Sequence, residues 1–224
     1  MTKNNKNSQT DAKLFVISAP SGAGKTTLVR ALLASNPRVR FSISYTTRAP
    51  RVREKNGDDY FFIDKEEFKK MIAAGEFLEY AEVFDNLYGT SKSQVQKELD
   101  AGQHVLLEID WQGAQQIRQA WPDCVSVFIL PPSLPELERR LRTRATDSEK
   151  VIQRRLRDAI SDIGHWPEFD HVILNDNLKQ ALQDLKHVVA GISEQTRTDN
   201  PDQIDLIHRC GFSTAARLAD SEEE

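Results

Sequence analysis

Residues 18–27 read SAPSGAGKTT, and this stretch decides the fold. It follows the apolar run LFVIS at 14–18, which predicts a buried strand. It precedes TLVRALLAS at 27–35, which predicts a helix that ends before Asn36 and Pro37. A glycine-rich turn between a strand and a helix is typical of a phosphate-binding loop, where backbone N–H groups and the helix N-terminus face an anion.

The loop departs in one letter from the usual spelling G-x-x-x-x-G-K-[ST], because Ala19 stands where the first glycine is expected. One methyl group is tolerated there if the φ angle of Ala19 is negative. Gly22 and Gly24 have no Cβ and let the backbone approach phosphate oxygens. Lys25 can reach the outer phosphates, and the Thr26 hydroxyl can bind Mg²⁺. The predicted ATP contacts are Ala19, Pro20, Ser21, Gly22, Ala23, Gly24, Lys25, Thr26 and Thr27.

A second motif agrees with the loop. HVLLEID at 104–110 predicts a buried strand that ends on Asp110, whose carboxylate can hold a metal directly or through water, as a Walker B acid does. Many strands end in aspartate, so Asp110 alone is weak evidence for a metal site. The phosphate loop in the same chain strengthens this interpretation. The two motifs together predict a nucleoside triphosphate site with Mg²⁺ as cofactor, and Thr26 and Asp110 as the metal ligands.

Composition narrows the class of protein. The chain has 224 residues, of which 39% are hydrophobic and 29% charged, as in soluble globular proteins. Its 30 basic and 34 acidic side chains give a net charge of -4, which disfavours a nucleic-acid partner. We also expect no membrane partner, because no apolar run has the length of a bilayer span and the polar N-terminus lacks a signal-peptide core. Cys124 and Cys210 follow no metal-ligand spacing, so we expect reduced thiols in a cytoplasmic protein.

Apolar runs and helical patterns alternate along the chain, which predicts an α/β fold of the phosphate-loop NTPase type, with a parallel sheet flanked by helices. We predict a disordered tail at 1–12, a main domain at 13–194 and a C-terminal extension with an acidic tail at 195–224. Within the main domain we predict a core (13–40, 92–132 and 158–194), a small β-rich insert (41–91) and an Arg-rich helical lid (133–157).

Three classes use such a loop: GTPase switches, ATP-driven machines and small-molecule kinases. Asp110 and Gly113 match the D-x-x-G of GTPases, but the later strands lack an N-K-x-D-type guanine reader. The chain also lacks the extra domains of a motor, which leaves a kinase. The insert is then the acceptor site, and the side chains suited to a phosphate there are Arg48, Arg51, Tyr60 and Tyr88.

Glu79 lies within the apolar segment FLEYAEV of the insert. Its carboxylate can accept hydrogen bonds from N1–H and the 2-amino group of guanine, two donors that adenine lacks. A solvated surface charge is the alternative reading of this residue when it is taken alone.

The segments SAPSGAGKTT, SISYTTRAPR, NGDDYFF, FLEYAEV, YGTS, LEIDWQGAQQIR and FILPPS occur in this order, and together they resemble guanylate kinases of the bacterial type. The resemblance runs from about residue 14 to residue 190 and implies phosphorylation of GMP by ATP. It implies GMP contacts at Ser44, Arg48, Arg51, Tyr60, Glu79, Tyr88, Thr90, Glu108 and Asp110. Bacterial relatives share the alanine at the start of the loop, whereas Tyr45 stands where they often have histidine.

Seven arginines lie in residues 139–157, and the resemblance makes this segment a lid over ATP. It implies that Arg140, Arg144 and Arg155 contact phosphate and act in catalysis with Lys25. Ala145 follows Arg144 where relatives commonly have glycine, which we expect to stiffen the lid hinge.

Two other readings stay open. Guanylate-kinase-like domains of scaffold proteins bind partner proteins without catalysis, but they typically degrade the phosphate loop, which here is intact. A nucleotide kinase for adenylate or uridylate is disfavoured by Glu79 and Ser44. Asn175 is a weak candidate for an adenine contact, and the extension after residue 194 is compatible with a homo-oligomer.

Overall fold

The computed structural model describes residues 11–83, 85–143 and 148–212. Its strands are β1 (Leu14–Ser18), β2 (Val39–Phe41), β3 (Tyr45–Thr46), β4 (Phe61–Phe62), β5 (Phe77–Val83), β6 (Asn86–Ser91), β7 (His104–Glu108), β8 (Val125–Leu130) and β9 (His171–Leu174). Its α-helices are α1 (Lys25–Ser35), α2 (Lys65–Ala73), α3 (Lys92–Asp100), α4 (Trp111–Ala120), α5 (Leu134–Thr143), α6 (Glu149–Ile163), α7 (Leu178–Ala190) and α8 (Pro201–Arg209). None of the helices in these ranges is long and apolar enough to cross a bilayer.

The larger sheet has the strand order β2-β7-β1-β8-β9. The registered pairs β1–β8, β2–β7 and β8–β9 are all parallel, which confirms the predicted parallel sheet. All five residues of β1 are buried, and β8 is buried from Ser126 onward. Continuous burial explains why these strands read as apolar runs rather than as alternating patterns.

Two predicted boundaries move. Helix α1 begins at Lys25, two residues before the predicted start, because Gly24 already acts as its N-cap. Strand β7 ends at Glu108, so the prediction that the strand continues to Asp110 is wrong. Asp110 is instead the N-cap of α4, where its carboxylate accepts a hydrogen bond from the Gly113 N–H at 2.8 Å.

The smaller sheet has the order β4-β3-β6-β5, and its β5–β6 and β3–β6 pairs are antiparallel. The predicted β-rich segment is therefore confirmed. Its rings pack together: Phe68 stacks on Phe77 with ring centroids 4.5 Å apart, and Tyr45 stacks on Phe61 at 4.8 Å. A Cβ on Gly89 would lie 2.9 Å from the Phe77 ring, so this packing requires glycine there.

Contacts divide the chain into two compact units. The first unit comprises Arg38–Leu106 with the segment that ends at Leu14, and the second comprises Phe15–Pro37 and the chain from Leu107 onward. The second unit contains the loop, the last residues of β7 and the helices from α4 to α8. The predicted domain boundaries remain predictions.

Helix α8 lies in the predicted C-terminal extension. Asn200 caps it by accepting from the Asp202 N–H, and Ile207 on its inner face is fully buried. The Gln203 side chain donates to the Val172 carbonyl of β9 at 2.9 Å. Residues 1–10 of the predicted tail at 1–12, residues 213–224 of the predicted extension at 195–224, and Arg144 with Ala145 lie outside the described residues.

Candidate active site

The loop between β1 and α1 has the backbone that its glycines predict. Gly22 and Gly24 have φ angles of 93° and 95°, in the left-handed region that favours glycine. Asp85 is the one non-glycine residue with positive φ in the described part of the chain, so Ala19 keeps an ordinary backbone there and its methyl group is tolerated. No side chain of the described residues caps α1, which leaves its first N–H groups directed at the loop.

Helix α5 packs directly against the loop. A Cβ built on Gly22 would lie 3.0 Å from both Leu137 Cδ1 and Leu141 Cδ2, two buried residues of α5. Gly22 is thus required by close packing as well as by its φ angle. The segment predicted as the lid therefore begins with a helix seated on the phosphate loop.

Lys25 reaches back to the end of β7, where its Nζ donates to the Ile109 carbonyl at 2.9 Å. Burial lowers the pKa of Lys25, and the nearby carboxylates of Glu108, Asp110 and Asp162 act in the opposite direction. Lys25 is partly buried and lies near three carboxylates. Its ammonium group can therefore bind a phosphate at the loop.

The resemblance assigns Glu108 to GMP, but in the structure Glu108 accepts a hydrogen bond from Thr26, the residue that follows Lys25. The Thr26 hydroxyl donates to Glu108 Oε1 at 2.5 Å. The predicted metal ligand Thr26 is thus next to a carboxylate, but that carboxylate is Glu108, while Asp110 caps α4. No group of three or more His, Cys, Asp or Glu in the described residues could hold a metal ion by itself. The hydroxyl and carboxylate oxygens at Thr26 and Glu108 fit Mg²⁺, which takes few protein ligands and completes its shell with phosphate and water.

Two of the three predicted lid arginines contact the loop. Arg155 donates to Ser21 Oγ at 2.7 Å, and Arg140 donates to the Ala23 carbonyl at 3.3 Å. Arg140 also pairs with Glu136 at 2.8 Å. The third, Arg144, lies outside the described residues.

Other arginines of the lid segment have acidic partners on the same helices or their neighbours. Arg139 pairs with Glu136, Arg142 pairs with Glu138 and Glu149, and Arg154 pairs with Asp158. The arginines of this segment are therefore interleaved with carboxylates, and Arg139, Arg142 and Arg154 are paired with acidic side chains.

In the first unit, Arg48 and Arg51 both form hydrogen bonds with the carboxylate of Glu54. Arg48 Nη2 donates to both oxygens of Glu54 at 2.9 Å, and the Arg51 N–H donates to Glu54 Oε2 at 2.8 Å. The hydrogen bond between the two side chains raises the pKa of Arg48 and lowers the pKa of Glu54. The side chain of Arg51 is 78% exposed, whereas those of Arg48 and Glu54 are each 16% exposed.

The two predicted phosphate-binding tyrosines lie beside Arg48. The Tyr60 and Tyr88 rings meet edge to face with centroids 6.0 Å apart. The Arg48 guanidinium lies 5.4 Å from the centroid of Tyr60, in the range of a cation–π contact. The first unit thus brings together one arginine and both phenols of the predicted phosphate site.

Glu79 is 4% exposed and lies on β5 directly opposite Thr90 of β6. The Thr90 hydroxyl donates to Glu79 Oε1 at 2.6 Å. A register shift between Phe77 and Glu79 interrupts the pairing at this point of the strand. The carbonyl of Ser44 accepts from the Phe61 N–H at 2.9 Å, which places Ser44 beside β4 of the same sheet.

The sequence did not point to Glu54 or Asp162, and it did not predict the contact that Asn175 makes. Glu54 follows Arg51 by three residues in a polar segment, and that spacing is the one local signal for it. Asp162 of α6 accepts from Trp111 Nε1 at 3.1 Å, and burial raises its pKa to about 6. Asn175, considered for adenine, donates its side-chain amide to the Ala23 carbonyl at 2.8 Å. The last two contacts join residues far apart in the chain, which no local pattern reports.

A parallel sheet, a glycine-rich loop after its first strand, and a lysine and threonine opening the next helix define the class of phosphate-loop nucleotide-binding proteins. Comparison with known proteins then narrows the class. The family model described as Guanylate kinase matches residues 11–191, so the chain belongs to the guanylate kinase family.

Similar curated proteins agree. The chain is 60% identical over 176 residues to the guanylate kinase of Dechloromonas aromatica, covering 79% of this chain and 87% of that protein. It is 57% identical over 180 residues to the guanylate kinase of Methylococcus capsulatus, covering 80% and 88%. The crystal structure of guanylate kinase from Anaplasma phagocytophilum superposes with a TM-score of 0.66 at 34% identity, over 82% of this chain and 86% of that one.

Proposed function

We propose that this protein transfers the γ-phosphoryl group of ATP to GMP and releases ADP and GDP. The observation that carries the proposal is the buried Glu79–Thr90 pair, in a chain that also has a complete phosphate loop. A buried carboxylate is costly unless it is paired, and its two oxygens have lone pairs for several donors, so Glu79 can accept from a ligand as well as from Thr90. Guanine offers two donors on one edge.

In the proposed reaction an oxygen of the GMP phosphate attacks the γ-phosphorus of ATP. A new P–O bond forms to GMP while the bond between the γ-phosphorus and the β,γ-bridging oxygen breaks, and ADP leaves with that electron pair. The attacking oxygen is already ionised at neutral pH, so the step requires no strong general base. Catalysis then consists of positioning and of neutralising charge on the transferring group.

In the second unit, the loop amides and Lys25 bind the phosphates of ATP in this proposal. Arg140 and Arg155, which already contact the loop, turn toward phosphate oxygens when ATP is bound. We infer the same role for Arg144. Mg²⁺, when bound, neutralises charge on the β- and γ-phosphates, and Thr26, Glu108 and Asp110 are the residues proposed to hold it, directly or through water.

In the first unit, Arg48 and Arg51 are proposed to bind the GMP phosphate with the Tyr60 and Tyr88 hydroxyls. Glu79 accepts from the guanine edge, with Thr90 holding the carboxylate in place. Ser44 completes the GMP contacts that we propose for this unit. We further propose that the protein acts in the cytoplasm, where both nucleotides are made.

Exchange of Glu79 for glutamine tests the base-recognition part of the proposal. The change preserves the size of the side chain but replaces one acceptor oxygen with an NH2 group. An NH2 group cannot accept a hydrogen bond from the guanine donors. We expect the KM for GMP to rise by about tenfold or more and the preference for GMP over AMP to fall. Glu82→Gln, an exposed glutamate on the same strand, is the matched control. An unchanged KM in the Glu79 variant would contradict the assignment.

A further inference from the structure

Asn175 follows β9 and is held in place by its backbone. Its N–H donates to the Leu130 carbonyl at 2.8 Å, which extends the β8–β9 pairing by one residue. The residue is 6% exposed. Its side chain therefore leaves the carboxyl end of the sheet from a fixed position, within the unit that contains the phosphate loop.

The side-chain amide of Asn175 is used inside the protein. Its Nδ2 donates to the Ala23 carbonyl at 2.8 Å in a buried hydrogen bond. A Cβ built on Gly24 would lie 2.4 Å from the same nitrogen, so the amide also occupies the space beside the next residue of the loop. Glycine at position 24 is required for this contact as well as for its left-handed φ angle.

A peptide unit is planar and trans, so its carbonyl and its N–H point in opposite directions. By holding the Ala23 carbonyl, Asn175 sets the plane of the Ala23–Gly24 peptide and hence the direction of the Gly24 N–H. Backbone N–H groups are the ligands that a phosphate loop offers to an anion. Asn175 lies outside the loop but therefore sets the direction of one of these donors, the Gly24 N–H.

Arg140 also donates to the Ala23 carbonyl, and it contacts the backbone of Asn175. Its Nη1 donates to the Ala23 carbonyl at 3.3 Å, and its Nη2 donates to the carbonyl of Asn175 at 3.0 Å. A carbonyl oxygen has two lone pairs and can serve both donors. When Arg140 turns toward a phosphate, as proposed above, the shorter bond from Asn175 can still hold the peptide.

We propose that Asn175 is a positioning residue of the phosphate loop, which orients the Gly24 N–H toward the phosphates of the bound nucleotide by fixing the Ala23 carbonyl. The inference rests on the proposed function of the loop. It differs from an adenine-contact role, because the Asn175 side chain is buried and its Nδ2 donates to the loop.

The test is calorimetric binding of inorganic tripolyphosphate, which has the phosphates of ATP but no base, to the full chain and to Asn175→Leu. Leucine has a similar size but no donor. We expect tripolyphosphate and ATP to bind more weakly to the variant by the same factor, about tenfold or more, while the KM for GMP stays unchanged. Asn175→Ala provides the same comparison if leucine prevents folding, which melting curves report.

The matched control is Asn177→Leu. Asn177 caps α7 by accepting from the Lys179 and Gln180 N–H groups, so its loss lowers the melting temperature without touching the loop. Tripolyphosphate binding equal to that of the parent in a folded Asn175 variant would overturn the inference, as would weaker binding of ATP alone. If the parent chain forms no GDP, the proposed function fails, while the tripolyphosphate comparison still decides the role of Asn175.

Discussion

Glu54 shows how one residue can determine the behaviour of several others. It binds the guanidinium of Arg48 with both oxygens and the backbone N–H of Arg51 with one of them. Arg48 carries five N–H donors. Nη2 faces Glu54, and Nη1 donates to the Ala49 carbonyl at 2.9 Å. The carboxylate thus fixes the direction of the fork before any ligand arrives.

We predict that Glu54→Gln raises the KM for GMP by about tenfold, with a smaller change in kcat. The charge that holds Arg48 is lost, so the guanidinium must be ordered when GMP binds, and this cost appears in binding. Steady-state kinetics with GMP as the varied substrate measure the effect. Glu66→Gln, on the exposed side of α2 in the same unit, is the control. Equal KM values for the parent and the Glu54 variant would refute a positioning role.

The carboxyl of Asp162 makes the stability of the protein depend on pH. Its pKa is raised to about 6, first by burial and then by the charges of Asp110 and Asp158, while the Trp111 hydrogen bond and His165 lower it. Between the ordinary aspartate pKa and this value the folded protein binds more protons than the unfolded chain, so the stability that Asp162 contributes falls as the pH rises.

Asp162→Asn removes this titration and keeps an acceptor for the Trp111 N–H. We predict that the free energy of unfolding of the variant, relative to the parent, rises by about 1–2 kcal/mol from pH 4 to pH 7, a value reduced for partial solvation of the carboxyl. Urea unfolding at several pH values measures it. Asp158→Asn on the same helix serves as the control, with a smaller expected change. A difference that does not vary with pH would show that the carboxyl titrates normally.

At the scale of elements, β9 is the last strand of the larger sheet, and the chain beyond α7 returns to it. Arg197 forms an antiparallel bridge with His171, the Thr198 N–H donates to the Asp170 carbonyl, and Gln203 of α8 donates to the Val172 carbonyl. These bonds satisfy backbone groups that an edge strand would otherwise present to solvent. The segment lies beyond residue 191, where the match to the family model ends.

Replacement of Gln203 by leucine is predicted to destabilise the protein by about 1–3 kcal/mol, because the Val172 carbonyl keeps its burial and loses its donor. Since α8 is tied to the edge strand rather than to the loop, we expect kcat with ATP and GMP to change little. Chemical denaturation and a coupled assay supply the two measurements. Gln180→Leu, an exposed glutamine on α7, is expected to stay within about 0.5 kcal/mol of the parent. A similar decrease in the free energy of unfolding in both variants would show that the Gln203 hydrogen bond has no particular role in stability.

Local patterns account for most of the elements. LFVIS and VSVFIL are strands because buried parallel strands are continuously apolar, and the glycines of the loop specify its left-handed turns. Contacts across long stretches of chain were not predictable in this way. The Thr26–Glu108 bond and the Asn175–Ala23 bond arise because sheet pairing brings the ends of separated strands together, and no short pattern records that pairing.

The site was predictable to a similar degree. The loop residues, Glu79 and the arginines predicted to bind phosphate follow from residue type and motif. The residues that form hydrogen bonds with them are known only from the structure. Asp110 illustrates the limit. The prediction that the strand ends on Asp110 suggested a metal ligand, but β7 ends at Glu108 and Asp110 is the N-cap of α4. The sequence pattern did not show where α4 begins.

At the scale of the whole molecule, the proposed function is the phosphorylation of GMP by ATP, with the ATP phosphates bound by the phosphate loop. The most direct measurement is ADP formation by the full chain with Mg-ATP and GMP, AMP or UMP in turn, beside a Lys25→Ala variant whose fold is checked by its melting curve. We expect rapid ADP release with GMP alone, and a decrease in kcat of about a hundredfold or more in the variant. A folded parent that binds GMP but gives no ADP with any of the three acceptors would contradict it.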